Sequence, residues 1–303
     1  MRDLALLSDI GVLVAVAEHG SLTRGGAAVG LTPSGASRAI ARLESRIGAR
    51  LLERTTRALH LTDAGDRLHT AARPHLAGLA DAASAATNTA AAVSGTLRVA
   101  INPIVLRHLL APNLPRLASQ HPGLRLDLLP GETGDLTTAG LDLAIRFGPQ
   151  PASSMSSRHL LDTRVLTVAA PSYLARHGRP AAPDDLARHP CLHYIDPQRG
   201  RAFDWEFQRG TEIRPVRVDG LYVFTDPTAM TEACLAGAGV AQLLALGTEH
   251  LLADGALVEL FPDWPGETFP LLAVRPSRRL PPAAVEAFLA FCIDICSGLR
   301  PAV

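Results

Sequence analysis

Residues 14–65 read VAVAEHGSLTRGGAAVGLTPSGASRAIARLESRIGARLLERTTRALHLTDAG. Leading into this stretch, Leu6, Ile10, Leu13 and Ala17 recur at helical spacing, and Gly20 stands where a left-handed residue ends a helix. Ser21 can cap a short second helix across Leu22 to Val29, expected to pack through Ala27 and Ala28. Gly30-Leu31 turns the chain. Thr32 followed by Pro33 supplies a cap and a first-turn proline, the strongest helix start in the sequence. From there Ala36, Ile40, Leu43 and Ile47 form an apolar stripe, and Ser34, Ser37, Arg38, Ala41, Arg42 and Ser45 fall largely away from it. Two helices joined by a tight glycine turn, the second presenting small polar residues and arginine, follow helix-turn-helix logic. Small residues let such a helix seat deep in the major groove, where arginine bonds guanine edges or phosphate.

After Gly48, Leu51-Leu52 and Leu59-x-Leu61 read as two short strands around Arg54-Thr55-Thr56-Arg57. A hairpin tip carrying two arginines suits a wing against neighbouring phosphates or the minor groove. Thr62-Asp63 then opens a long alanine-rich helix towards Thr89, with Leu68, Leu76, Leu79 and Ala83 on its apolar side. Such a helix spans roughly 40 Å, more than one domain usually needs, so pairing with another helix is expected. Pro74 inside it predicts a kink or a break.

The whole-chain figures at first oppose a nucleic-acid binder. In 303 residues there are 29 basic and 29 acidic side chains, a net charge of zero, and 47% apolar residues. Every cation is arginine. The distribution matters more than the total. Residues 1–62 hold eight arginines and five acids, net +3, so the rest carries net −3. Such asymmetry hints at nucleic-acid contact.

Over residues 14–65 the chain closely resembles the DNA-binding end of LysR-type transcriptional regulators. The shared marks are Gly20-Ser21, Ser34 and Ser37, Leu43-Glu44 before Gly48, and Leu51-x-x-Arg54 leading to Leu61-Thr62-x-Ala64-Gly65. Further along, Asp142-Leu143-Ala144-Ile145-Arg146 and Cys234-Leu235-Ala236-Gly237-Ala238-Gly239-Val240 resemble family landmarks. The resemblance implies an N-terminal winged helix-turn-helix, a long linker helix, and a two-lobed α/β effector domain like that of periplasmic binding proteins. It implies double-stranded DNA as a partner through an operator palindrome, a small-molecule effector, self-association to a dimer or tetramer, and RNA polymerase as a further partner. The DNA-contacting set read on this basis is Ser21, Thr32, Pro33, Ser34, Ser37, Arg38, Arg42, Arg54, Thr55 and Arg57. Gly25-Gly26 departs from the usual alanine pair, and Gly35 falls in the first turn of the reading helix. At about 0.5–1 kcal/mol per helical glycine, a soft DNA-binding head is expected.

Beyond Gly95, strand-like and helix-like pieces alternate, which predicts two α/β lobes. Strands are read at Leu97–Ile101, Leu124–Leu129, Leu141–Phe147 and Val165–Ala169, helices at Leu106–Ala118, Thr228–Ala236 and Ala283–Ser297. The expected divisions are 1–62 for the head, 63–93 for the linker and 94–303 for the effector domain. Its first lobe would hold 94–163 and 270–303, its second 164–269, with crossings near Asp162–Arg164 and Glu267–Pro270. Ligands in such sheets sit beyond the carboxyl ends of strands, near helix N-termini. The rim residues there are Asn102, Pro103, Ile104, Thr133, Phe147, Gly148, Tyr194, Phe224, Thr225 and Asp226.

Other chemistry finds little support. His189-x-Cys191-x-His193 would share one strand face, but Pro190 interrupts the strand and no fourth metal ligand is evident. Gly237-Ala238-Gly239-Val240 lacks the third glycine of a dinucleotide loop and reads as a helix ending into a buried strand. No cofactor, catalytic set, secretory signal or 18-residue apolar run is evident, and the four cysteines show no paired spacing. The reading is therefore a cytoplasmic regulator that is not an enzyme. The alternative is a two-lobed cytoplasmic small-molecule-binding protein or enzyme with an incidental basic N-terminus, which would call for an export signal or catalytic residues.

Overall fold

The computed structural model describes residues 2–54, 59–86, 93–131, 136, 139–148, 155–195, 200–218, 220–264, 268–277 and 282–299. The N-terminal unit comprises α1 (Arg2–His19), α2 (Leu22–Ala28) and α3 (Pro33–Ile47), then the antiparallel pair β1 (Leu52–Arg54) and β2 (Leu59–Leu61). Its turns follow the local chemistry. Gly20, Gly30 and Gly48 all take positive φ, the Ser21 hydroxyl accepts from Thr23 N and Arg24 N, and Thr32 Oγ1 accepts from Gly35 N. Leu13, Val16, Ala36, Ala39, Ile40, Leu43 and Leu51 form one core with Val12 and Leu52.

Three expectations need correction here. Ile47 is exposed, because the helix ends at Gly48 and its last turn overhangs the core; Ala39 is buried in its place. Ala27 and Ala28 are exposed, and the buried face of α2 is Gly25 and Gly26. Gly25 and Gly26 are required by packing and are not simple propensity losses. A methyl at Gly25 would overlap Val16 Cα and lie 2.7 Å from Ala15 O, and one at Gly26 would lie 3.0 Å from Leu31 O. Missing side chains let α2 seat directly on the backbone of α1.

α4 (Asp63–Ala86) is one continuous 24-residue helix that passes through Pro74 without a break. It carries Leu68 into the head core and leaves Leu79 exposed. Residues 87–92, towards Thr89, lie outside the described set.

The remaining elements are β3 (Ser94–Ile101), α5 (Pro103–Val105), α6 (Leu114–Gln120), β4 (Gly123–Pro130), β5 (Leu143–Phe147), β6 (Met155–Ala169), α7 (Pro171–His177), β7 (Cys191–Tyr194), β8 (Trp205–Arg209), β9 (Glu212–Val216), β10 (Gly220–Phe224), α8 (Pro227–Leu235), β11 (Val240–Leu244), α9 (Glu249–Ala253), β12 (Val258–Leu260), β13 (Thr268–Pro276) and α10 (Ala283–Ser297). Between α5 and α6 the chain winds through an i→i+5 segment, Leu106–Leu110, and a tighter turn, Ala111–Asn113. The strand order is β10-β7-β11-β6-β13-β5-β3-β4, with β12 also on β6. The long strand β6 serves two sheets. Residues 155–164 pair with β13, while 165–169 pair with β11 and β12. Three clusters result among the described residues. β3, β5 and β13 pack against α10 through Val99, Ile145, Leu271 and Phe288; Ala100, Leu141, Ala144 and Val274 cover the opposite face of that sheet; Val168, Cys191, Val240 and Phe207 fill the second lobe.

The close approach of α2 to α1 yields a sign opposite to helix propensity. Gly25→Ala will lower the unfolding midpoint of the head, by about 1–3 kcal/mol of overpacking, whereas Gly11→Ala, whose methyl meets open space, will hold or raise it. Thermal or urea unfolding followed by circular dichroism reads the difference.

Candidate DNA interface and effector cleft

Opposite its buried stripe, α3 exposes Ser34, Arg38, Ala41, Arg42 and Ser45, with Ser37 half-buried. The cap places Thr32 and Pro33 at its start, both exposed, and the Thr32 hydroxyl lies 3.1 Å from Ser34 Oγ. Ser21, half-buried, is occupied in capping α2. The two arginines of the face differ. Arg38 makes no side-chain bond among the described residues, whereas Arg42 Nη2 and Nε reach Asp9 at 2.7 and 3.3 Å. Asp9 is nearly inaccessible, 4% exposed on its side chain, so Arg42 neutralises a buried carboxylate from across α1. Part of its fork is thus committed within the head, while its side chain stays 57% exposed. Thr55, Arg57 and the Arg54 side chain lie outside the described residues.

Arg73 joins the linker helix to the first lobe. Its guanidinium donates to Thr96 O (3.0 Å), Gly140 O (3.1 Å) and Asp142 Oδ2 (2.7 Å), and Asp142 Oδ2 also accepts from Arg98 N. Gly140 is left-handed, and a methyl there would lie 2.6 Å from Thr70 Cγ2. Glu18, near the end of α1, senses the same cluster: desolvation raises its carboxyl above the ordinary value, against the pull of Arg73.

Between the lobes lies a cleft of about 1000 Å³. Asn102, Pro103, Ile104, Phe147, Gly148, Tyr194 and Thr225 line it. Asn102 Oδ1 accepts from Ile104 N at 2.9 Å, which caps the helical run and commits that oxygen. Two of the expected rim residues are elsewhere. Phe224 packs on the second-lobe core, and the Asp226 carboxylate is occupied in capping α8 through Thr228 N at 2.9 Å. Thr133 lies outside the described residues. Arg107, His108, Arg146, Phe203, Trp205, Gln242 and His250 also line the cleft. Arg146 could have been read from its place as the one cation in an otherwise apolar strand; the others depend on distant segments meeting. The His108 and His250 rings face each other across the lobes at 5.7 Å. Burial, helped by Arg107 and His250, lowers the His108 pKa. His189 and Cys191, weighed above as metal ligands, are otherwise engaged: His189 Nδ1 lies 2.9 Å from the Tyr173 hydroxyl, and Cys191 is buried.

With this geometry, comparison with known proteins is decisive. Residues 7–66 match the bacterial regulatory helix-turn-helix family described as lysR, and residues 90–297 match the LysR substrate-binding domain. The chain belongs to the LysR family of transcriptional regulators. Over 289 residues it is 32% identical to the HTH-type transcriptional regulator CrgA of Neisseria meningitidis, covering 94% of this chain and 95% of that one. It is 32% identical over 284 residues to PtxR of Pseudomonas aeruginosa, covering 93% of this chain and 90% of that one. The CrgA structure superposes with a TM-score of 0.64 at 29% identity, covering 96% of this chain and 98% of that one. Full-length AphB of Vibrio cholerae gives 0.59 at 25% identity, covering 95% and 98%. This LysR-type protein is a DNA-binding transcriptional regulator with a two-lobed effector-binding domain. Among the described residues no helix is long and apolar enough to cross a membrane.

Two outcomes follow from these contacts. Arg42→Ala strands the buried Asp9 and lowers stability by about 1–3 kcal/mol, while Arg38→Ala leaves the unfolding midpoint in place; denaturant titration separates them. The lowered His108 pKa means that between that value and the ordinary 6.5 the unfolded chain binds protons that the folded chain does not. Stability from this group is present above 6.5 and is lost as pH falls through the folded value. His108→Gln therefore flattens the fall in melting temperature across that acidic window.

Proposed function

We propose that this regulator binds an imperfect palindrome as a dimer or dimer of dimers, and is switched by a small molecule held between its lobes. Two heads would occupy successive major grooves about one helical turn, ~34 Å, apart. The observation that carries this reading is the exposed face of α3, where Arg38 has no partner among the described residues while Arg42 is held by Asp9. Ser34, Ser37 and Arg38 would read bases, Thr32 and Pro33 would set the helix on the backbone, and Arg54, Thr55 and Arg57 would meet phosphates. The exposed Leu79 side of α4 favours pairing of linker helices.

The same reading places the head at 1–62, the linker at 63–93 and the effector domain at 94–303. The change of partners along β6 between Arg164 and Val165 favours lobes of 94–163 with 270–303, and 164–269. The protein acts by binding and not by catalysis, works in the cytoplasm, and presents RNA polymerase with a differently bent promoter when the effector closes the lobes.

Footprinting on the operator, followed by Arg38→Ala, tests the base-reading assignment. Arg38→Ala should lose discrimination among operator variants while retaining nonspecific affinity; wild-type discrimination would rule the assignment out. Removing Arg54 or Arg57 should flatten the dependence of affinity on salt by about one unit of slope each.

A further inference from the structure

The first-lobe wall of the cleft carries one recessed cation that no described residue neutralises. Arg146 leaves β5 on the sheet face of Ala144 and Leu272, lines the cleft, and has a buried Nε without a hydrogen-bond partner. Among the described residues no acid or carbonyl reaches its guanidinium. Arg73 shares the unpaired Nε, but it, Arg164 and Arg42 are each held by a carboxylate at 2.6–2.7 Å, and Arg146 is not. A guanidinium half-withdrawn from water and left without an acceptor is a place prepared for an anion.

The rest of the cleft narrows the chemistry of that anion. Phe147, Tyr194, Phe203, Trp205, Leu243 and Phe269 supply flat and apolar surface, and the Tyr194 and Phe203 rings lie nearly parallel, 7° apart. The acids that line the cleft, Asp204, Glu206 and Glu232, are all exposed and all belong to the second lobe. They would repel a second negative charge projecting from a ligand already bound to the first lobe. A phosphate monoester, near −2 at neutral pH, meets one recessed arginine and that acidic rim. A carboxylate meets the same arginine with matching charge and a matching two-oxygen fork.

We propose that the ligand of the cleft is a flat, apolar monocarboxylate whose carboxylate binds the Arg146 guanidinium while its body lies against the aromatic wall. This rests on the reading of the cleft as the effector site. Arg146 is then a specificity residue: it selects charge, and the wall selects shape. Because the ligand would span first-lobe Arg146 and second-lobe Tyr194 and Trp205, its binding would draw the lobes together.

The full-length protein should be titrated with benzoate, phenylacetate and 2-naphthoate, with benzamide and 2-naphthamide as neutral counterparts and terephthalate as the dianion. Calorimetry and Trp205 fluorescence both report binding. At least one monocarboxylate should bind, its amide at least about tenfold more weakly, the loss expected for one charge-assisted pair. Terephthalate should also bind more weakly than the monocarboxylate. Arg146→Gln should weaken the acid by a similar factor and erase its preference over the amide, with Arg146→Lys in between. A melting temperature of Arg146→Gln equal to or above wild type separates a ligand-binding role from a structural one. Equal binding of acid and amide, or acid binding indifferent to Arg146→Gln but lost when Thr228→Trp fills the cleft, overturns the anchor and leaves the cleft standing. Acid binding that survives Thr228→Trp overturns both, and no binding by any monocarboxylate at millimolar concentration overturns the proposed ligand class.

Discussion

One buried guanidinium ties the reading head to the sensing lobes. Arg73 is 8% exposed and donates through Nη1 and Nη2 to Thr96 O, Gly140 O and the Asp142 carboxylate, its Nε being left without a partner among the described residues. A buried charge is tolerated only when paired and hydrogen-bonded, and removing either partner of such a pair typically costs 3–5 kcal/mol. The geometry is therefore demanding at every contact. Gly140 must be left-handed to turn its carbonyl inward and must lack a side chain to admit Thr70. α4 is thereby fastened to the first lobe through Arg73 and to the core of the head through Leu68.

The legible parts of the sequence were those whose cause is local. Caps at Ser21 and Thr32, the proline after Thr32, left-handed Gly20 and the turn at Gly30 each depend on a handful of neighbours, and each is found in place. The stripe Ala36, Ile40 and Leu43 followed from the helical period alone. What failed depended on a partner element. Gly25 looked like a propensity defect, because nothing in its neighbourhood says that the backbone of α1 lies against it. The hold of Arg42 on Asp9 was hidden, because Asp9 is 33 residues away.

The same division runs through the effector domain. Rim residues beyond the ends of β3, β5 and β7 were legible from strand-loop patterns, and Asn102, Phe147 and Tyr194 do line the cleft. Phe224 and Asp226 flank Thr225 but turn to the second-lobe core and to the α8 cap, contacts that a strand end does not reveal. His108 and His250, 142 residues apart, come together only because β6 and β13 carry the chain between lobes.

The crossing itself sets how the lobes can move. β6 and β13 lie side by side, hydrogen-bonded from Thr268 opposite Arg164 to Pro276 opposite Met155, and β6 runs on into the second sheet. Just past the change of partners, Leu246 N donates to Thr163 Oγ1 and Ala245 N to Arg164 O. Such a ribbon resists being stretched or sheared, since either would break its ladder, but it yields to torsion as twisted strands do. The second lobe consequently behaves as a lever on a torsion bar. Its travel grows with distance from the ribbon, so an effector lodged near Val165 turns the bar with little arm, whereas one reaching Thr225 and Thr228 at the start of α8 acts at the end of the lever.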